Sequence, residues 1–246
     1  MDKMLYIAAS GARQILNAQA LNTQNIANGS TSGFQADLAA MQSMPVYGYG
    51  HPSRVFSSLQ GNGVDSTKGS LQRTGRELDV AVSGTGWIAV QAPDGTEAYT
   101  RAGDLRVSQD GLLETGAGFP VMGDGGPIVV PDSEKIEIGD DGTVSLLPLG
   151  QDPSTLVAVG RIKLVNPDPG TLTKGVDGLL RIRDGSIPEA TGDVRLVNGA
   201  LESSNVNLVR AMVTMIELAR KFEAHIKLLD IARENDTASA RILNVS

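Results

Sequence analysis

Apolar residues recur at helical spacing at the two ends of the chain. Near the start, Leu5, Ala9, Ala12, Leu16 and Ile26 fall at roughly helical spacing with no proline between them, which predicts a helix over residues 3–28. Asn28, Gly29 and Ser30 read as its stop. Ala8, Gly11, Ala18 and Ala20 keep this helix slim, so a neighbour can approach closely. Near the end, Leu208, Met212, Met215, Ala219, Phe222, Ile226 and Leu229 are spaced alternately four and three apart, the pattern of a heptad seam. Arg233 and Asp236 interrupt the seam, and Ala240 and Leu243 resume it. Residues 204–243 hold no glycine or proline, and Ser203 or Ser204 is placed to cap a helix start. At ~1.5 Å per residue such a helix runs on the order of 60 Å, far beyond an ordinary globular helix.

The middle changes period. Short β-type runs at Leu78–Val82, Trp87–Gln91, Ile128–Val130, Ile136–Ile138 and Val157–Val165 are punctuated by Asp-Gly pairs at 94, 110, 124, 141, 177 and 184 and by Asn-Gly at 198. These dipeptides predict two-residue hairpins, whose turns need positive φ. Residues 36–70, broken by Pro45, Pro52, Gly48, Gly50, Gly61 and Gly63, read as an extended connector. The reading is an α+β chain: a helix over 1–35, the connector over 36–70, a β-rich body over 71–202 and a long helix over 203–246. The two terminal helices form a coiled-coil-like layer.

A long helix with an apolar seam cannot bury that seam alone. The N-terminal helix is its natural partner, but it is shorter and carries Gln14, Asn17, Gln19, Asn22, Gln24 and Asn25. A hairpin of the two helices docked on the β body, or burial between copies, both remain open from the pattern. Composition narrows the partners. The formal net charge is −7, and both ends are close to neutral, so the excess of acid lies in the middle. An acidic body is ill suited to nucleic acid, which demands a basic stripe, and to anionic lipid. Neither an 18-residue apolar run nor a basic leader with an apolar core is present, so neither a membrane span nor a cleaved signal is expected.

Catalytic chemistry is sparse. The chain has no cysteine, which excludes disulfides, thiolate metal sites and cysteine nucleophiles. Its two histidines, His51 and His225, have no metal-binding spacing and read as surface or packing residues. Asp140-Asp141-Gly142 lacks the ligand spacing of a calcium loop and reads as a hairpin turn. No nucleophile elbow or phosphate loop is present. The expectation is a protein without cofactor or metal, and not an enzyme.

Two terminal motifs carry more. The first runs Ser10-Gly11, then Gln24-Asn25-Ile26-Ala27-Asn28, then Thr31-Ser32-Gly33-Phe34. The second runs Gly199-Ala200-Leu201-Glu202-Ser203-Ser204-Asn205-Val206-Asn207, then Met212-Val213, Met215-Ile216 and Arg220, Phe222-Glu223-Ala224. Together they resemble the paired end motifs of flagellar rod and hook proteins. The middle agrees: Thr74–Val82, Gly84, Gly86-Trp87 and Tyr99-Thr100-Arg101 resemble the β body of that family. Met44-Pro45-Val46, Trp87, Val159–Val165 and Glu234-Asn235-Asp236 look most like its proximal rod type, with a distal rod or hook subunit as the alternative. An extracellular β-rich enzyme or binding module is the rival of another class.

The resemblance implies a structural subunit. Its terminal helices would line a hollow helical tube that transmits torque and encloses an export passage, with the β body outside. It implies contacts with copies of itself and other rod proteins. It also implies passage through the flagellar export apparatus without a cleaved signal, and residence in the basal body within the periplasmic space. Neither nucleic acid nor membrane insertion belongs to the expectation. The residues expected to serve assembly are Asn25, Ile26, Asn28, Thr31, Gly33, Phe34, Asn205, Val206, Asn207, Met212, Met215, Ile216, Phe222 and Glu223. Asn25, Asn28, Asn205 and Asn207 could cap helix ends or bridge subunits, and Phe34 could anchor the first helix to the connector by burial.

Overall fold

The structure, a computed structural model, describes residues 4–45, 55–152 and 155–243. It is an α+β chain with a helix at each end and strands between. Two compact units result, one of residues 1–27, 37–62 and 207–246, the other of 28–36 and 63–206.

The first unit holds helix α1 (Met4–Ala27), helix α2 (Leu208–Leu243) and a two-stranded ribbon of Asp37–Pro45 with Val55–Val64, whose last two residues pass to the second unit. The connector is therefore extended, but it also pairs with itself. Helix α2 begins at Leu208, and Asn207 caps it: the Asn207 side-chain oxygen accepts from the Arg210 N–H at 3.0 Å. Neither serine expected as the cap serves. Ser203 pairs with Ser70, and Ser204 accepts from the Val206 N–H.

The second unit is built on a five-stranded antiparallel sheet. Its order is Leu164–Val165, Trp87–Gln91, Glu97–Thr100, Leu180–Ile182, Leu172–Lys174. Side chains on a strand alternate between faces, and here both faces are covered. Ile88, Val90, Ala98 and Leu164 point into the main core with Val80, Leu105, Leu113, Val121, Val144, Ile162 and Leu196. Trp87, Ala89, Tyr99 and Val165 point the other way, into a smaller core with Leu172 and Leu180. Burial on both faces explains why Trp87–Gln91 reads as a continuous apolar run rather than an alternating one.

A three-stranded sheet of Ser133–Ile138, Thr143–Pro148 and Val157–Arg161 joins the main core. The apolar run Val157–Val165 thus divides between two sheets. A register shift opposite Val144 and Ser145 leaves Val159 unpaired, and buried Ile162 turns the chain from one sheet into the next. The run Ile128–Val130 makes only an isolated bridge, Leu112 to Val129.

Of the Asp-Gly pairs, Asp124-Gly125 makes the expected two-residue hairpin, joining Met122–Gly123 to Gly126–Pro127, and the others differ from that form. In those others no aspartate takes a positive φ; the glycine alone does. At 92–96, 108–112, 115–119, 139–143 and 175–179 the first residue's N–H reaches the last residue's carbonyl. The glycine before that last residue donates back to the first residue's carbonyl. Five connections thus share one three-residue construction with a left-handed glycine. Asp94, Asp141 and Asp177 lock it by accepting the N–H two residues on. Asn198-Gly199 is no hairpin: Gly199, at φ 65°, kinks one extended run. On its two sides Arg195–Asn198 pairs with Val80–Ser83, and Ala200–Glu202 with Leu71–Arg73.

Asp177 also meets Arg181 through two hydrogen bonds, at 3.0 and 2.6 Å. The Arg181 bonds, with the Leu179 N–H, hold its carboxyl below the ordinary value of 3.8. A depressed carboxylate contributes stability above its unfolded value and loses it as pH falls through the folded one. Asp177→Asn is therefore expected to lower the melting temperature at pH 7 by roughly 2–4 °C. The gap should close as pH falls through the depressed folded value of this carboxyl.

Candidate assembly surface

Helices α1 and α2 run antiparallel. Gly11 meets His225, Ile15 and Ala18 meet Leu218 and Phe222, and the Asn22 amide donates to the Ala211 carbonyl at 2.8 Å. Small residues decide the geometry. A Cβ on Gly11 would lie 2.4 Å from the His225 ring, so the imidazole occupies the notch that glycine leaves. The buried side of α1 is Ala8, Gly11, Ala12, Ile15 and Ala18, rotated from the expected stripe, and it leaves Leu16 exposed. Helix α2 turns likewise. Ala211, Leu218 and Ala232 are buried, and Phe222 is half-buried in the Ile15–Ala18–Leu218 cluster.

That rotation leaves a face of α2 bare. Val209 is 74%, Met212 53%, Val213 51% and Ile216 56% exposed, with Leu208 beside them. Over its first three turns α2 is therefore apolar on a second side besides the one that meets α1, and Arg210, Thr214 and Glu217 form the polar stripe between them. Farther along, Arg220, Glu223 and Lys227 return charge to the outer face. At the near end of the pair, Asn25 binds the first residue of the ribbon reciprocally. Its amide donates to the Asp37 carbonyl at 3.0 Å and its oxygen accepts the Asp37 N–H at 2.9 Å. Ala18, Leu21, Asn22, Asn25, Leu38, Thr214 and Leu218 line a shallow groove there.

The second unit gathers the remaining motif residues into a clasp. Three chain passes, around residues 33–36, 65–70 and 202–205, are tied together. Asn205 is the knot: its oxygen accepts the Ala36 N–H at 2.7 Å, and its amide donates to the carbonyls of Asp65 and Thr67 at 2.8 and 2.9 Å. The Gly33 N–H donates to the Glu202 carbonyl at 2.8 Å. Gly33 takes φ 64°, and a Cβ there would lie 2.1 Å from the Arg101 carbonyl carbon, so only glycine fits. Lys174 stands 3.7 Å over the Phe34 ring and donates to the Gln35 carbonyl at 2.6 Å, while Trp87 donates to the Gln35 side chain at 3.3 Å.

Beneath the clasp lies a buried ion pair, Arg101 Nε to Glu202 Oε2 at 3.0 Å, with both side chains at most 3% exposed. The two groups meet off line, so the attraction is ionic rather than a directed hydrogen bond. Glu202 Oε1 accepts the Gly69 N–H and Arg101 Nη2 donates to the Gly84 carbonyl. Burial raises the Glu202 carboxyl and lowers the Arg101 guanidinium, and each partner opposes the shift of the other.

The expected assembly residues thus fall into three settings. Met212 and Ile216 lie on the bare face of α2, with Glu223 exposed beyond them. Met215, Phe222 and Ile26 are half-buried, and Asn25 and Asn207 fix ends within the helical unit. Gly33, Phe34 and Asn205 belong to the clasp, while Asn28 and Thr31 form the turn that leads to it and Val206 closes it. Asn205 caps no helix. Val209 and Val213 complete the bare face and lay off the heptad seam. Gln35 and Lys174 hold the clasp but gave no sequence signal, since their partners are distant in the chain; Arg101 and Glu202 stood in the motifs that carry the resemblance, without a sign that they pair. His225 proves a packing residue, and His51 lies outside the described residues. Among the described residues no three histidine, aspartate or glutamate side chains gather for a metal ion. No helix among them is long and apolar enough to cross a membrane.

Residues 81–146 match the flagellar hook protein FlgE/F/G D1 domain, and residues 197–242 match the flagellar basal body rod FlgEFG protein C-terminal domain. The chain is 41% identical over 252 residues to the flagellar basal-body rod protein FlgF of Salmonella typhimurium, covering 100% of both. It is 40% identical over 252 residues to FlgF of Escherichia coli, again covering 100% of both. To FlgF of Caulobacter vibrioides it is 33% identical over 241 residues, covering 95% of each.

Proposed function

The chain belongs to the flagellar basal-body rod protein family, and from that premise we propose that it is a structural subunit of the proximal rod, assembled through the bare face of α2. The observation that carries the mode of assembly is the exposure of Val209, Met212, Val213 and Ile216 on a helix whose other side is already filled by α1. Leaving such a face in water forfeits about 25 cal/mol for each Å² of apolar surface, so burial by neighbouring subunits is favoured. The contact is heterologous and need not close, which yields a helical tube rather than a ring. Copies of this chain and other rod proteins are the neighbours, and the acidic β body stays on the outside.

The function is then mechanical: the tube carries torque and leaves an export passage along its axis. It calls for no catalytic group and no cofactor. The subunit reaches the periplasmic space through the flagellar export apparatus without a cleaved signal.

Ile216→Asp and Val213→Asp test the surface. Each is expected to abolish swimming and basal-body rods in a strain lacking the wild-type copy. The purified variants should keep the wild-type helical circular dichroism and the Trp87 emission. Normal rods from both variants would sink the proposed surface.

A further inference from the structure

We infer that Met212 is an oxidation site through which peroxide switches the bare face of α2 from apolar to polar and so keeps a subunit out of the rod. The inference rests on the assembly reading above. Met212 is 53% exposed, whereas Met122 and Met215 are half-buried. The chain has no cysteine, so no thiol takes the oxidant first. Thioether oxidation follows exposure, and the product is a polar group on what was an apolar surface. The sulfur lone pair attacks one peroxide oxygen, an S–O bond forms as the O–O bond breaks, and water leaves. Sulfur loses two electrons and hydrogen peroxide gains them, with no other reactant. Val209, Val213 and Ile216 share this exposed face with Met212 and offer the new oxygen no side-chain donor. Its burial between subunits then goes uncompensated.

The free subunit is vulnerable and the assembled one is shielded, so the site acts before incorporation. The test uses the full-length chain. Purified protein is exposed to hydrogen peroxide, and the methionine peptides are followed by mass spectrometry. Met212 should oxidise faster than Met122 and Met215. In cells grown in sublethal peroxide, the sulfoxide fraction at Met212 should be roughly tenfold lower in basal bodies than in the unassembled pool. Met212→Leu should restore swimming to a strain lacking the chain, and Met212→Gln, polar and of similar size, should not. Equal oxidation of Met212, Met122 and Met215, equal sulfoxide in pool and basal bodies, or full rescue by Gln would each overturn the inference. If Ile216→Asp still blocks rods in that case, the assembly reading stands and the oxidation site alone falls.

Discussion

Replacing Glu202 by alanine is expected to lower the stability of the β unit by about 3–5 kcal/mol, a large share of what such a domain possesses. The loss comes from what stays behind. Arg101 would remain buried without its counter-charge, and the Gly69 N–H would lose its acceptor. For a unit of this size the melting temperature should fall by roughly 10–15 °C. Trp87 emission can follow it, since this is the chain's one tryptophan and it lies in the same unit. The double variant Arg101→Met, Glu202→Leu should recover about half of the loss, because removing both charges also removes their desolvation. It should not recover everything: the Gly84 carbonyl and the Gly69 N–H stay unpaired, at about 1–3 kcal/mol each. Additive single and double losses would show that the two groups do not act as a pair.

The pair also sets a pH signature. Glu202 is raised above its ordinary value of 4.5, chiefly by burial. A raised group contributes stability below its unfolded value and loses it as pH rises through the folded one. The buried pair therefore burdens the fold at neutral pH. What it gives in return is position: Glu202 ties the 69 and 101 segments to the strand that leads into Asn205 and then α2.

How much of this was legible in sequence follows from the range of each interaction. Local signals carried furthest. The two terminal helices, the strand Trp87–Gln91 and most turn glycines follow from periodicity and left-handed backbone demand, which neighbours in sequence decide. At four Asp-Gly pairs the turn type was missed by one residue because Asp-Gly suits both constructions; only the hydrogen bonds between Ala92 and Thr96, and their counterparts at 108–112, 139–143 and 175–179, separate them from the two-residue form that Asp124-Gly125 takes. The heptad seam was half right for a different reason. Met215, Phe222 and Leu229 lie on the line shared by both possible faces of α2. Gly11 and Ala18 then turn α2 toward Ala211, Leu218 and His225, and Met212 and Ile216 face outward. The clasp was legible only as separate motif residues, Gly33, Phe34, Arg101, Glu202 and Asn205, with nothing to join them. Arg101 and Glu202 are a hundred residues apart, and nothing in either neighbourhood marks a buried charge.

The clasp decides where the β unit can be cut. A fragment spanning residues 28–206 is expected to fold as a monomer, keep the Trp87 emission and melt with the β unit of the full chain. It should not join the rod, since it lacks both terminal helices. A fragment spanning 36–202 follows the bounds suggested by sequence pattern alone and removes Gly33, Phe34, Gln35 and Asn205. It loses the Gly33 to Glu202 bond, the Gln35 contacts of Trp87 and Lys174, and all three side-chain bonds of Asn205 to backbone groups. At about 0.5–1.5 kcal/mol each these six amount to roughly 5 kcal/mol, comparable to the whole stability of a marginal domain. The shorter fragment should therefore melt at least about 10 °C lower or fail to fold. Equal melting of the two fragments would mean that the passes around 33–36 and 202–205 merely lie on the β unit and hold nothing together.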